Sequence, residues 1–226
     1  MSKNDSFTHV CEHVIVGVVR EDAADAAWEV ARAYAENGIR TIEITMTTPD
    51  ALALIARLKE QYDGRGIAIA AGTVRGSNAA AEARRAGATV LVSPHVDVRV
   101  IEYALEHDLL CVSGAATPTE IIHAWEAGAG LIKVYPAPQL GGPEFIRTIR
   151  GPIRDIPMLA GGPVTIEAID AYLHAGVVAV NLGGSLAVPE LVRGQKWSEI
   201  GRRAATAVSI IRGRQNENVE SESLVH

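Results

Sequence analysis

The 226-residue sequence contains only two cysteines, Cys11 and Cys111. Two thiols cannot build the disulfide framework of a small secreted domain, nor a four-thiolate zinc site. The histidines are scattered without ligand spacing and no HExxH-type pair occurs, so nothing predicts a metal. No apolar run reaches the ~18 residues that a membrane span needs. The opening Met1-Ser2-Lys3-Asn4-Asp5-Ser6 is too polar for a secretory signal. Positive charge is not concentrated, and the formal net charge is -6, which argues against nucleic acid as a partner. Neither GxGxxG nor GxxxxGK[ST] is present, so nucleotide binding has no motif to rest on. These absences leave a soluble, reduced protein, expected in the cytoplasm.

What is present is an alternation of short apolar, β-rich runs with helical runs. The candidate strands are His13–Val19, Thr41–Met46, Ile67–Val74, Val90–His95, Leu109–Ala115, Leu131–Ala137, Ile156–Gly162 and Ala179–Leu186. Runs such as Val14-Ile15-Val16-Gly17-Val18-Val19 are apolar throughout, as in parallel strands covered on both faces. Eight strands in this length allow roughly 28 residues per unit, room for one strand, one helix and two short loops. Thr48-Pro49 predicts a helix start, with threonine as N-cap and proline at the first helical position. Thr117-Pro118-Thr119-Glu120 predicts another, with capping-box spacing.

Helix ends are expected at Asn37-Gly38, Ala86-Gly87, Ala127-Gly128 and Ala175-Gly176. These glycines are spaced 49, 41 and 48 residues apart, about two units each, and each precedes a strand. They mark the even-numbered strands of an eightfold barrel, whose alternate strands fill alternate interior layers. The predicted architecture is α/β, a single (β/α)8 TIM barrel over residues 1–213, in preference to an open doubly wound sheet. Residues 214–226 form a polar tail that is expected to fray.

Two residues do not suit their surroundings. Lys133 is one of four lysines and stands in Leu131-Ile132-Lys133-Val134, a run that otherwise reads as buried. Burial disfavours an ammonium and makes an amine more available as a nucleophile. A lysine near the C-terminal end of a barrel strand suits Schiff-base chemistry. It also suits a side chain that snorkels to solvent or forms a structural ion pair. Glu43 is the second. The period of two in Thr41-Ile42-Glu43-Ile44-Thr45 sends Ile42 and Ile44 outward under the helices and Glu43 into the barrel. Lys133 has the same inferred strand parity, so the two could share a layer. A buried ion pair stabilises a core poorly, whereas a carboxylate beside an imine-forming amine suits a proton shuttle.

Other candidates lie at strand ends. Ala160-Gly161-Gly162-Pro163 closes the seventh strand and Asn181-Leu182-Gly183-Gly184-Ser185 the eighth. The loops after these two strands commonly receive phosphate on bare backbone N–H groups, though glycines also serve tight turns. Arg20 ends the first strand, where it can clamp a carboxylate bidentately, cap a loop, or pair with Glu21 or Asp22. Thr73 offers a hydroxyl at the end of the third strand, for a carboxylate or for a turn. His95 reads as a rim or structural residue.

The chain resembles the class I aldolases that cleave 2-keto-3-deoxy-6-phosphogluconate and 4-hydroxy-2-oxoglutarate. The resemblance runs from about Ile15 to Pro189. It is carried by Gly38-Ile39-Arg40-Thr41-Ile42-Glu43-Ile44-Thr45, Gly72-Thr73-Val74, Gly87-Ala88, Val92-Ser93-Pro94, Gly114 and Thr117-Pro118-Thr119-Glu120. It continues through Ile132-Lys133-Val134-Tyr135-Pro136-Ala137, Gly141-Gly142, Gly161-Gly162 and Gly184-Ser185. It implies a homotrimeric barrel that needs no metal or cofactor and acts on a small 2-keto acid, releasing pyruvate and an aldehyde. Lys133 matches the Schiff-base lysine and Glu43 the proton-transfer carboxylate. Thr73 matches a residue holding the pyruvate carboxylate, and Gly161, Gly162, Gly184 and Ser185 match the site for a distal phosphate. Thr45 and Pro94 lie in matching stretches and join the expected substrate-binding set.

Thr47 stands where relatives often carry an arginine that binds the substrate carboxylate, a task that falls to Arg20 here. Ala160 stands where a threonine often precedes Gly-Gly. These departures weaken the case for the phosphogluconate-derived substrate and leave the implied imine chemistry untouched, so a galactonate-type or non-phosphorylated substrate remains open. Two competing readings differ in class. One is a phosphosugar isomerase or epimerase in which Lys133 acts only electrostatically. The other is a binding barrel with a decayed site.

Overall fold

The computed structural model describes residues 1–223, and for residues 215–223 only their place in the last helix. Eight parallel strands follow one another around a closed barrel in chain order. They are β1 (Ile15–Val19), β2 (Thr41–Thr45), β3 (Ala68–Gly72), β4 (Val90–Val92), β5 (Leu110–Ala115), β6 (Leu131–Val134), β7 (Met158–Ala160) and β8 (Ala179–Leu182). The helices are α1 (Lys3–His13), α2 (Ala24–Glu36), α3 (Ala51–Gln61), α4 (Ser77–Ala86), α5 (Val98–Glu106), α6 (Pro118–Glu126), α7 (Gly142–Arg150), α8 (Ile169–His174), α9 (Pro189–Arg193) and α10 (Trp197–Ser223). Each expected strand is present, and pairing of β1 with β8 through Val16 and Asn181 closes the ring rather than leaving an open sheet. Most of the tail expected to fray, residues 214–226, lies outside the residues whose side chains are described.

The apolar character of the strands has two destinations. Ile42, Ile44, Leu91, Ile132, Val180 and Leu182 pack outward under the helices. Val16, Ala70, Val90, Val112, Leu131, Leu159 and Ala179 meet inside the barrel. Strands buried on both faces therefore have few polar positions.

The four expected glycine helix ends all take the left-handed conformation: φ is 97° at Gly38, 108° at Gly87, 101° at Gly128 and 101° at Gly176. Glycine adopts this conformation without the Cβ penalty. The capping box at Thr117 is also present, with Thr117 Oγ1 accepting from the Glu120 amide. The helix expected from Thr48-Pro49 starts later, at Ala51. Thr48 is buried, with its hydroxyl 3.1 Å from Thr45 Oγ1, so it does not cap the helix. Asp50 holds the cap position at φ 54° without a side-chain cap bond.

α1 has no counterpart among the expected elements. Its start is a capping box of Ser2 and Asp5, a spacing readable in the sequence. Val10 packs into the interior apolar cluster, Lys3 Nζ donates to the Gly128 carbonyl, and a His9 ring nitrogen is 2.9 Å from the Arg40 carbonyl. Gly128 and Arg40 both precede strands, so α1 covers the N-terminal mouth of the barrel. The C-terminal mouth is the one left open for chemistry.

Candidate active site

Among the buried polar side chains, Glu43 on β2, Lys133 on β6 and Asn181 on β8 come together in the interior. All come from even-numbered strands. Lys133 Nζ is 3.8 Å from Glu43 Oε1, and the two side chains are 10% and 1% exposed. Glu43 Oε2 accepts a hydrogen bond from Asn181 Nδ2 at 2.7 Å. The pair thus shares the layer that strand parity predicted. Asn181 is the site residue that the sequence reading did not single out. Its signal was a carboxamide at an inward position of an apolar strand, the same kind of anomaly as Glu43.

Two glycines are required by this arrangement rather than by backbone freedom. A Cβ at Gly72 would overlap the Glu43 carboxylate. A Cβ at Gly161 would stand 2.5 Å from Lys133 Cε, so β7 lets the lysine stem pass only because residue 161 has no side chain. Gly161 therefore has a packing role against Lys133 in addition to the anion site expected for it. Gly114 similarly admits the backbone of Pro94, which a Cβ there would strike. This contact places Pro94 at the ends of β4 and β5.

The three residues open into a cavity of about 690 Å³. Arg20, Gly162 and Gly184 line it together with Glu21, Asp22, Tyr135 and Arg193. Arg20 reaches from the end of β1 to two hydroxyls: Nη1 lies 3.5 Å from Thr47 Oγ1 and Nη2 donates to Thr73 Oγ1 at 3.2 Å. Arg20 thus bonds hydroxyls beyond β2 and β3. Thr73 holds φ at 59°, an uncommon conformation for a β-branched residue and one found where surrounding structure enforces it.

Thr45 is fully buried, with its hydroxyl 3.1 Å from both Thr47 Oγ1 and Thr48 Oγ1. It supports the β2 rim and is not among the cavity-lining residues. Ser185 lies beyond the β8 glycines. Its carbonyl accepts from Arg203 Nε and Nη2 at 2.9 and 2.7 Å, and its hydroxyl is buried without a protein partner. His95 sits on the rim, half exposed, with Nδ1 3.3 Å from Ser93 Oγ.

Electrostatics at the mouth are mixed. Burial pushes the Glu21 carboxyl up to about 7, and neighbouring Asp22 adds to the effect. Tyr34, which donates to the Gly183 carbonyl at 3.4 Å, is raised by burial and by the nearby Glu21 charge. Glu21 lines the same cavity as Gly183 and Gly184 of the β8 glycine turn. Burial pushes the Cys111 thiol up to about 12, so it does not compete with Lys133 as a nucleophile. Among the described residues no group of three or more His, Cys, Asp or Glu is placed to hold a metal. No described helix is long and apolar enough to cross a membrane.

A buried lysine, a carboxylate within reach and an open C-terminal mouth suit imine formation followed by proton transfer. The comparisons with known proteins point the same way. The 2-dehydro-3-deoxy-phosphogluconate aldolase of Pseudomonas aeruginosa is 31% identical over 196 residues, 86% of this chain and 87% of that one. The 2-dehydro-3-deoxy-6-phosphogalactonate aldolase of Escherichia coli is 28% identical over 199 residues, 88% of this chain and 94% of that one. A solved structure described as native KDPGal superposes with a TM-score of 0.80 at 28% identity, covering 88% of this chain and 94% of its own. The family described as KDPG and KHG aldolase matches residues 8–203, and the chain belongs to that aldolase family.

Proposed function

We propose that this aldolase releases pyruvate from a 4-hydroxy-2-keto acid through an imine on Lys133. The observation that carries the reading is the Lys133–Glu43 pair, with Nζ 3.8 Å from Oε1 inside the barrel. The neutral amine adds to the C2 ketone, and loss of water gives the iminium. Glu43, directly or through a water, takes the C4 hydroxyl proton. The C3–C4 electron pair moves into the iminium as the bond breaks and the aldehyde leaves. Glu43 then returns a proton to C3 of the enamine, and water hydrolyses the imine to pyruvate and free Lys133. Covalent catalysis divides one difficult cleavage into easier steps.

Arg20 and Thr73 are the carboxylate-binding pair in this reading, with Thr45 and Pro94 shaping that side of the mouth. Gly161, Gly162, Gly184 and Ser185 face the distal end of the substrate. The substrate class is a 2-keto-3-deoxy acid of the phosphogluconate or phosphogalactonate type, its non-phosphorylated counterpart, or 4-hydroxy-2-oxoglutarate. The chain acts in the cytoplasm, as a homotrimer. Exposed Leu105 on α5, and Ile122 and Trp125 on α6, offer apolar surface for subunit contact. Sedimentation velocity at micromolar concentration should give three times the 24.0 kDa chain mass.

Borohydride reduction in the presence of pyruvate, followed by peptide mass mapping, tests the chemistry. A reduced pyruvate adduct on Lys133 alone is the expected result. Folded protein that yields no adduct would return the barrel to the isomerase or binding readings.

A further inference from the structure

Asn181 is 2% exposed in a strand whose neighbours Val180 and Leu182 pack outward into the apolar layer. Burying a carboxamide costs on the order of 1–3 kcal/mol for each polar group left without a partner. Here only half of the amide is satisfied by protein. Nδ2 donates to Glu43 Oε2 at 2.7 Å, whereas Oδ1 is buried with no hydrogen-bond donor among the described protein groups. A carboxylate only accepts, which fixes the amide with its nitrogen toward Glu43 and its oxygen turned away. Asn181 is also part of the cavity wall.

The consequence falls on the carboxylate of Glu43. Asn181 holds Oε2 from β8, the absent side chain of Gly72 makes room on β3, and Oε1 is left facing Lys133 at 3.8 Å. Once Lys133 Nζ is bonded to C2 of a keto acid, the carbon that gains or loses a proton is one bond further on. Only the oxygen turned toward Nζ is placed to serve it. Rotation of the carboxylate would break a charge-assisted hydrogen bond, a class worth about twice a neutral one.

We infer that Asn181 is a positioning residue for proton transfer. Its Nδ2 locks Glu43 with Oε1 toward the imine carbon chain. This inference rests on the imine reading and assigns a separate step within it: Asn181 governs protonation of the enamine and leaves formation of the imine to Lys133.

The test uses pyruvate alone and compares wild type with Asn181→Leu and Asn181→Asp. Imine formation is read by borohydride trapping on Lys133. Proton transfer is read by deuterium exchange at the pyruvate methyl in D2O. Trapping should stay within threefold of wild type in both variants. Exchange should fall by tenfold or more in Asn181→Leu, within the ~10²–10⁴-fold range of a lost general acid or base. Asn181→Asp keeps the shape and places a second carboxylate against the first. Two carboxylates sharing a site resist joint ionisation, so the acidic limb of its exchange profile should move to higher pH. That shift reports the contact with the Glu43 carboxylate, while retained trapping with lost exchange in Asn181→Leu reports the positioning role, which a residue that merely fills space would not show.

Wild-type exchange rates and an unshifted profile in the folded variants would overturn the inference. So would equal losses of trapping and exchange, which would put Asn181 in imine formation. Absence of the Lys133 adduct in wild type would remove the imine reading itself and the inference with it.

Discussion

Arg20 Nη2 donates to Thr73 Oγ1 at 3.2 Å, linking the end of β1 to a residue just beyond β3 whose backbone is held at φ 59°. The same guanidinium lies 3.5 Å from Thr47 Oγ1. The cationic head in this rim thus comes from the end of the first strand and reaches across to hydroxyls beyond the second and third. A guanidinium presents its donors in a rigid fork that matches a carboxylate bidentately. Arg20→Ala should therefore weaken binding of the keto acid by roughly 10–100-fold, the equivalent of ~1.5–3 kcal/mol for a hydrogen bond to a charged group. The pyruvate concentration that half-saturates Lys133 trapping should rise by that factor, with trapping at saturation little changed. An unchanged half-saturation would place the carboxylate elsewhere in the cavity.

The two members of the buried pair should fail differently. Lys133→Ala removes the only nucleophile in the imine reading, and turnover should vanish while circular dichroism stays that of the folded barrel. Glu43→Gln keeps the shape and removes the base. Pyruvate should still be trapped on Lys133, with methyl exchange slowed by roughly 10²-fold or more. Retained turnover in the first variant would end the Schiff-base mechanism. A near-normal exchange rate in the second would move the shuttle to another group.

Much of this site was legible because buried parallel strands leave few polar positions, so a charge in one is conspicuous. The single lysine in an apolar run and the single glutamate in an alternating one marked Lys133 and Glu43; the period of two turned Glu43 inward, and strand parity offered Lys133 the same layer. Asn181 stood in the same kind of run, but a carboxamide carries no charge, and its role depends on a partner 138 residues away. The glycines carry more than one meaning. Gly-Gly after the seventh strand suggested an anion site, and the fold adds that the first of the pair clears the path of Lys133. Thr48-Pro49 had the composition of a helix start, and lost that role because the Thr48 hydroxyl faces Thr45 within the rim. Local propensity did not account for that tertiary contact.

Gly161→Ala follows from the same packing. The added Cβ would stand 2.5 Å from Lys133 Cε and 2.8 Å from Cγ, so the stem must shift. Residue 161 is not in the left-handed region, and the backbone itself bears no penalty. The change should lower the rate of Lys133 trapping by tenfold or more, since misplacement by about 1 Å can cost ~10²-fold. Thermal stability should fall by only a few degrees, the effect of about 1 kcal/mol. Wild-type trapping kinetics would mean that the lysine has a second, equally productive path.

Glu21 offers a pH-dependent prediction. Its ordinary value is 4.5, and burial with Asp22 beside it raises this to about 7 in the folded chain. Between these values the folded state binds more protons than the unfolded one. Stability contributed by this group must then fall as pH rises through 4.5 to about 7, and stay level above. Partial exposure keeps the effect modest. Glu21→Gln should flatten the decline in melting temperature across that window. The substrate should respond as well, because Glu21 shares the cavity with Gly162 and Gly184, where a distal phosphate is expected. Above pH 7 the ionised carboxylate repels a phosphate dianion and leaves a hydroxyl unaffected. Glu21→Gln should therefore raise kcat/KM for a phosphorylated 2-keto-3-deoxy acid, relative to its non-phosphorylated counterpart, by on the order of tenfold at pH 8, the value of a pair of charges several ångströms apart near a protein surface. A ratio that does not change would place the distal end of the substrate away from the β1–α2 side of the mouth.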